Sequence, residues 1–314
     1  MTIAVRVTAY AGALALLFGL AWVAGGLAGD TASSPGSPGS PGSAAPAATG
    51  GSAAHGHGSG GGADDHTAAA TPAGGLSVTD AGYTLAVAAR GFRPGVPGEL
   101  ALRITGPDGA PVTAFDVEHE KRMHLIVVRR DAVGFQHLHP ELAPDGTWRT
   151  PLTLPLAGVY RVFADFTPTG GPPLTLGADL FVPGEFQPSA AHEPSRTALV
   201  DGYEVTLQGD LTGGAATQLV ATVSRDGVPV IDLEPYLGAF GHLVVLRTDD
   251  LAYLHVHPDT ATVPRPEDRA GPQIAFTAET PSSGLYRLFL DFRHDDTVRT
   301  AEFTLPAVMA PTAG

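Results

Sequence analysis

Two sets of three histidines stand at identical spacing in this chain: His124, His137 and His139, then His242, His255 and His257. Each set belongs to a longer repeated segment. His124-Leu125-Ile126-Val127-Val128-Arg129 leads to His137-Leu138-His139-Pro140, and His242-Leu243-Val244-Val245-Leu246-Arg247 leads to His255-Val256-His257-Pro258. Three neutral imidazoles held on neighbouring strands form a ligand set for zinc(II) or copper(II). The chain has no cysteine, which excludes thiolate metal sites and disulfides. A plainer reading stands beside the metal one: half-buried imidazoles bonded to backbone carbonyls, serving packing or pH sensing.

Strand logic gives the spacing a geometry. If Met123–Arg129 and Phe135–His139 pair as an antiparallel hairpin with Arg129 facing Gly134, His124 lies directly across from His139. His137, two residues from His139, then shares its face. The same register sets His242 across from His257 with His255 alongside, so the expectation is one three-histidine site inside each repeat. Auxiliary ligands are available. His119 precedes the first set, where Leu237 stands in the second copy. Asp165 and Asp291 occupy equivalent places in a Tyr-Arg-x-Phe-x-Asp-Phe strand, and pairing with Arg161 or Arg287, or simply ending a strand, is the role favoured for them. Met123 is expected to pack on the opposite face, and His192 and His294 to lie on the surface.

These residues sit in a duplicated domain. Gly82-Tyr83 matches Gly202-Tyr203, the turns Asp108-Gly109 and Asp226-Gly227 correspond, and Gly158–Phe166 matches Gly284–Phe292. Alternating apolar runs broken by Gly, Pro and Asp turns predict an all-β fold, two tandem β-sandwiches over residues 76–184 and 197–306. An insertion in the second copy, within Thr260–Gln273, reads as a loop. Residues 185–196 read as a linker and 307–314 as a tail. The recurring aromatic pairs Phe135/Tyr253, Tyr160/Tyr286, Phe163/Phe289 and Phe166/Phe292 fit core packing better than a stacking platform.

Ahead of the repeats, Arg6 precedes an uncharged apolar run from Val7 to Leu27, close to the ~20 residues that cross a bilayer. Residues 1–29 are expected to be a transmembrane anchor, with a cleaved signal peptide as the alternative. The bulk of the chain is then extracytoplasmic at the cell membrane, or secreted. Residues 30–75 form a Gly/Ser/Pro/Ala tether expected to be disordered, which carries His55, His57 and His66 beside Asp64 and Asp65. These three are either a loose metal-gathering tract or bystanders in a solvated linker. With 18 Lys plus Arg against 32 Asp plus Glu, the net charge of −14 argues against nucleic acid as a partner.

The HLIVV…HLHP segment, followed by Tyr160-Arg161-Val162-Phe163-Ala164-Asp165-Phe166, resembles exported, membrane-anchored bacterial proteins of uncharacterised function. Their domain is similar to the small periplasmic β-sandwiches of the YtkA-like and copper-resistance kind. The resemblance implies an immunoglobulin-like sandwich and copper. Three functions follow from the sequence. The first is a membrane-tethered metal-binding protein for copper or zinc capture, buffering or delivery. The second is a non-catalytic cell-envelope structural or interaction module with structural histidines. The third is a zinc-dependent hydrolase, for which no Ser-His-Asp set, Gly-x-Ser-x-Gly elbow or His-Glu-x-x-His motif is present. The expectation is therefore a non-enzyme.

Overall fold

The computed structural model describes residues 73–88, 91–254, 256–259 and 262–309. The apolar run of residues 7–27, His55, His57, His66 and His255 lie outside them. No helix among the described residues is long and apolar enough to cross a membrane.

In the first repeat, β1 (Thr79–Asp80), β2 (Tyr83–Val87) and β3 (Gly98–Thr105) start one layer, and β4 (His124–Arg129) and β5 (Gln136–Leu138) start the other. The chain returns to the first layer with β6 (Glu141–Leu142) and β7 (Thr147–Leu152). It completes the second with β8 (Gly158–Phe166) and β9 (Leu174–Val182). The sheets run β1-β2-β3-β7-β6 and β5-β4-β8-β9. This alternation of strand pairs between facing sheets is the immunoglobulin-like order. Both repeats also carry the tyrosine corner of such folds. Tyr160 donates its hydroxyl hydrogen to Leu156 O (3.0 Å), and Tyr286 donates to Ser282 O (2.9 Å).

The second repeat follows the same plan. β10 (Thr197–Val200), β11 (Tyr203–Gln208), β13 (Ala215–Arg225) and β14 (Val228–Pro229) lie in one layer, while β12 (Leu211–Gly213) pairs parallel to the last strand in the other. β15 (His242–Arg247) and β16 (Tyr253–Leu254) cross over, β17 (Val256–Pro258) and β18 (Gln273–Thr280) return, and β19 (Gly284–His294) and β20 (Thr297–Met309) close the second layer. The sheets run β10-β11-β13-β18-β17 and β12-β20-β19-β15-β16.

Each sandwich has its own core: Leu125, Val127, Trp148 and Tyr160 in one, Leu243, Val245, Phe276 and Tyr286 in the other. A third core joins them. Ile126, Val128 and Phe163 from the outer face of the first repeat pack on Val244, Leu246 and Phe289 from the outer face of the second. Phe135 stacks on Phe289 (centroids 4.1 Å, planes 5° apart), and Phe163 meets Tyr253 at 5.6 Å. All six residues of β4 are therefore buried, odd and even alike. The recurring aromatics are core residues as expected, but half of them serve the contact between repeats.

The segment 185–196 is fastened to the first repeat. Arg129 lies over the Phe186 ring (5.2 Å) and donates to Gln187 O (3.2 Å), while Ser189 N donates to Asp131 (2.8 Å). His192, expected on the surface without partners, donates from Nε2 to Asp131 O at 2.7 Å. His294, also expected on the surface, is 8% exposed, accepts from the Tyr203 hydroxyl at 2.6 Å and meets Asp232 Oδ1 at 3.1 Å. A β-strand end that carries a histidine inward was hidden because only one copy has it.

The folded unit takes in residues ahead of Leu76, where the sequence places the domain start. Gly74 pairs with Tyr253 of the second repeat (3.2 and 3.0 Å), while Gly75 N donates to Thr175 O of the first (2.8 Å). The Arg161 guanidinium donates twice to Gly75 O, at 2.6 and 3.1 Å. Gly75 has φ +74°, and a Cβ there would stand 2.3 Å from the Phe163 ring. Gly75→Val therefore combines a left-handed backbone with overpacking and should destabilise the protein by about 3 kcal/mol. Thermal unfolding checks this against Gly91→Ala, where a Cβ meets nothing within 4 Å; equal melting temperatures would contradict it.

Candidate metal centre between the repeats

The hairpin register expected from the sequence is the one observed. In the first repeat Leu125 pairs with Leu138, Ile126 with His137 and Val127 with Gln136. In the second, Val245 pairs with Leu254 and Leu246 with Tyr253. His124 and His137 thus emerge on the outer face beside Ile126 and Val128, and His242 emerges beside Val244 and Leu246. Because those outer faces pack on each other, histidines from both repeats meet at one place.

The result is one shared cluster rather than a site inside each repeat. Ligand nitrogens of His124, His137 and His242 all lie within 4.8 Å of one another. The His124 and His242 rings stack (5.3 Å, 8°), and His137 lies 4.7 Å from His242. His139 completes the group, 5.1 Å from His124 and 4.7 Å from His137 between centroids. The second triplet does not assemble as the first does. After Leu254 the chain leaves this sheet, and β17 pairs with β18 in the other layer, with His257 across from Thr277 and exposed. A strand that changes sheets carries its side chains with it, which the residue spacing does not encode. His255 lies outside the described residues, as do His55, His57 and His66.

The hydrogen bonds fix where the protons sit. His124 donates from Nε2 to Glu118 O (3.1 Å), and a carbonyl can only accept. His137 donates from Nδ1 to Asp291 Oδ2 (2.8 Å). The remaining nitrogens, His124 Nδ1 and His137 Nε2, face each other at 3.1 Å. Two bare lone pairs at that distance repel unless a cation lies between them, and that cation is either a proton or a metal ion. Two imidazole nitrogens on one tetrahedral zinc at about 2.0–2.1 Å stand about 3.3 Å apart. His242 Nδ1 and His139 Nε2 are buried without a hydrogen-bond partner. Each such atom costs on the order of 1–3 kcal/mol unless something binds it.

Electrostatics keep the cluster poor in protons. Burial, then the neighbouring His137, lowers the His124 pKa to about 4. Burial and the same neighbours lower His139 to about 3, and His242 falls well below the usual histidine range. Burial also pushes the Tyr236 hydroxyl up to about 12, with Asp291 adding to it. Neutral imidazoles are the form that binds metal.

The carboxylates do not take the role favoured from the sequence. Asp291 receives His137 and the Thr300 hydroxyl (2.6 Å), a carboxylate–histidine arrangement that orients a metal ligand. Asp165 sits across from His124 and receives the Thr175 hydroxyl (2.9 Å); burial raises its pKa to about 6. Neither pairs with its arginine. Arg161 binds Asp179 and Gly75 O, and Arg287 binds Glu302 and Thr304. Residues four apart on a strand stand about 13 Å apart, too far for an ion pair. Met123, buried at 1%, packs into the first core as expected.

The turn before β4 is closed by Glu118 N to Lys121 O (2.8 Å) and Lys121 N to Glu118 O (2.9 Å), with His119 and Glu120 both left-handed (φ 47° and 66°). The matching turn Tyr236–Ala239 has Leu237 and Gly238 there (φ 55° and 75°). Glu120→Gly gives the first turn the residue the second one has. It should raise stability by about 1 kcal/mol in urea unfolding, since glycine adopts this backbone freely; a loss of stability would show the turn is unstrained. A cavity of about 450 Å³ opens on the cluster, with His119, His124, His242, Asp165 and Tyr253 among its walls.

The profile of a domain of unknown function matches residues 77–177 and again residues 198–308. No curated protein matches the chain. Solved structures similar to it include the Escherichia coli adhesin FdeC (16% identity, 72% of this chain and 63% of that one, TM-score 0.24). The Yersinia pseudotuberculosis adhesin InvE is similar at 12% identity, with 71% of this chain and 58% of that one covered and a TM-score of 0.21. Domains 4 and 5 of the S-layer protein SbsC share 12% identity, over 74% of this chain and 100% of that one, with a TM-score of 0.22. The chain spans under two thirds of FdeC and InvE. Likeness at these scores carries no information about activity.

Proposed function

The chain belongs to the DUF8832 family, whose domain it contains twice, and we propose that it is a non-catalytic extracytoplasmic module binding one divalent metal ion, zinc(II) or copper(II), in a site shared by its two repeats. The observation that carries this reading is the pair of facing nitrogens, His124 Nδ1 and His137 Nε2, 3.1 Å apart with their other nitrogens already donating. His242 supplies the third ligand from the other repeat, and His139 Nε2 stands beside them without a partner. Imidazole-only ligation suits zinc and copper alike. The apolar run behind Arg6 supports export and a membrane tether.

The test is a zinc titration of the full-length chain with His55, His57 and His66 replaced by alanine, followed by elemental analysis. One equivalent per chain is expected. Two equivalents would mean each repeat has its own site. No binding would leave the facing nitrogens without a metal, and the interaction-module reading would replace the metal one.

A further inference from the structure

We propose that His119 is the exchange ligand of this centre, the side chain through which a metal ion passes between an incoming small chelator and the buried histidines. This rests on the metal reading above and says how the site is loaded and emptied.

Four observations place His119 one step outside the cluster and facing solvent. Its ring centroid lies 5.7 Å from that of His242 and 6.0 Å from that of His124, against 4.7–5.3 Å within the cluster. It is exposed, and it shares the wall of the interdomain cavity with His124 and His242. One of its nitrogens faces the Leu237 backbone carbonyl, which leaves the other to coordinate. It sits in a two-residue turn whose central positions are both left-handed although neither is glycine. Backbone held in that region without glycine is a mark of a site where position matters more than stability.

The duplication sharpens the assignment. The position equivalent to His119 is Leu237, which is 2% exposed and has no ligand atom on its side chain. The second repeat has no histidine at this place in its turn, and among the histidines of the cavity wall His119 is the one that lies outside the cluster. A structural metal site is closed by its protein ligands, whereas this one has a side open to the cavity, where an incoming chelator can reach the ion. The cavity volume of about 450 Å³ admits a chelator of small-molecule size. In the exchange, a bond from the metal to His119 forms as one bond to the chelator breaks. The ion then moves to His124, His137 and His242 as its remaining bonds to the chelator break; the imidazoles are already neutral, so no proton is displaced, and no electrons are transferred.

The experiment loads the full-length chain, with the three tether histidines replaced by alanine, with zinc and follows its removal by EDTA in a stopped-flow instrument. The parent should lose zinc at a rate that rises with EDTA concentration. His119→Ala should slow both loading and removal by about tenfold, the scale on which residues around a metal site act, while equilibrium affinity stays within about threefold. His119→Gln keeps an N–H for the Leu237 carbonyl; it should be as slow as the alanine variant if coordination matters, and as fast as the parent if only the turn matters. A removal rate independent of EDTA, an unchanged rate in His119→Ala, or an affinity loss that matches the rate loss would each overturn the exchange role and leave the metal site standing. A parent that binds no zinc would overturn the metal reading itself.

Discussion

His242→Ala should abolish tight metal binding by the whole chain, and His257→Ala should leave it unchanged. The two histidines occupy places in a repeated triplet, yet only His242 has ligand nitrogens within 4.8 Å of those on His124 and His137. His257 is exposed on a strand of the other layer. Removing one of three ligands should weaken affinity by at least about 100-fold, and Asp291→Asn, which disturbs only the orientation of His137, by about 10–100-fold. Isothermal titration calorimetry on the parent, these three variants and His137→Ala reads both affinity and stoichiometry. The shared site is wrong if His242→Ala retains one tight equivalent. It is equally wrong if His137→Ala and His242→Ala each remove half of two equivalents, as separate sites within the repeats require.

The metal-free protein should lose stability in acid through the same histidines. His124 has a folded pKa of about 4 against 6.5 for an unperturbed histidine, because burial and then His137 disfavour its charged form. Between those values the unfolded chain binds a proton that the folded chain refuses, so stability falls as pH falls from about 6.5 to about 4. For His124 alone the change amounts to about 3 kcal/mol. His139 and His242 act with the same sign. Asp165, raised to about 6 by burial, acts with the opposite sign over part of the same range. The clean measurement is therefore a difference: urea unfolding of the parent and His124→Gln at pH 7.5 and pH 4, both with EDTA. The parent's advantage should shrink by about 3 kcal/mol at the lower pH. A constant difference would mean that His124 titrates normally and the cluster is wetter than its burial implies.

Part of the site was legible in the residues alone. The repeat fixed the correspondence of His124 with His242, and turn length fixed the hairpin register that puts His124, His137 and His139 on one face. A one-residue slip would have sent them to opposite sides of the sheet, so the apolar pattern leaves little freedom. The signal for a shared site was also present and easy to pass over. Leu125–Val128 and Leu243–Leu246 are continuous apolar runs, not alternating ones, and such strands are covered on both faces. A two-layer sandwich covers only one face of each sheet, so the second cover had to come from elsewhere in the chain.

Asp291 was a candidate ligand from its place in the repeated strand, but its contact with His137 and the Gly74–Gly75 crossing carried no comparable signal. Each acts across a separation of roughly a hundred residues or more, where neither strand period nor turn chemistry operates. By itself the sequence determined two β-sandwiches, the strand pairing within them and the outward placement of the first histidine triplet, because all of these follow from local period and turn length. Tertiary structure decided that the outer faces of β4 and β15 meet, that His137 of one repeat finds Asp291 of the other, and that the chain after Leu254 leaves the sheet. Those outcomes depend on which apolar surfaces find each other, and burial favours any good fit of apolar faces without recording in the spacing of residues which fit it will be.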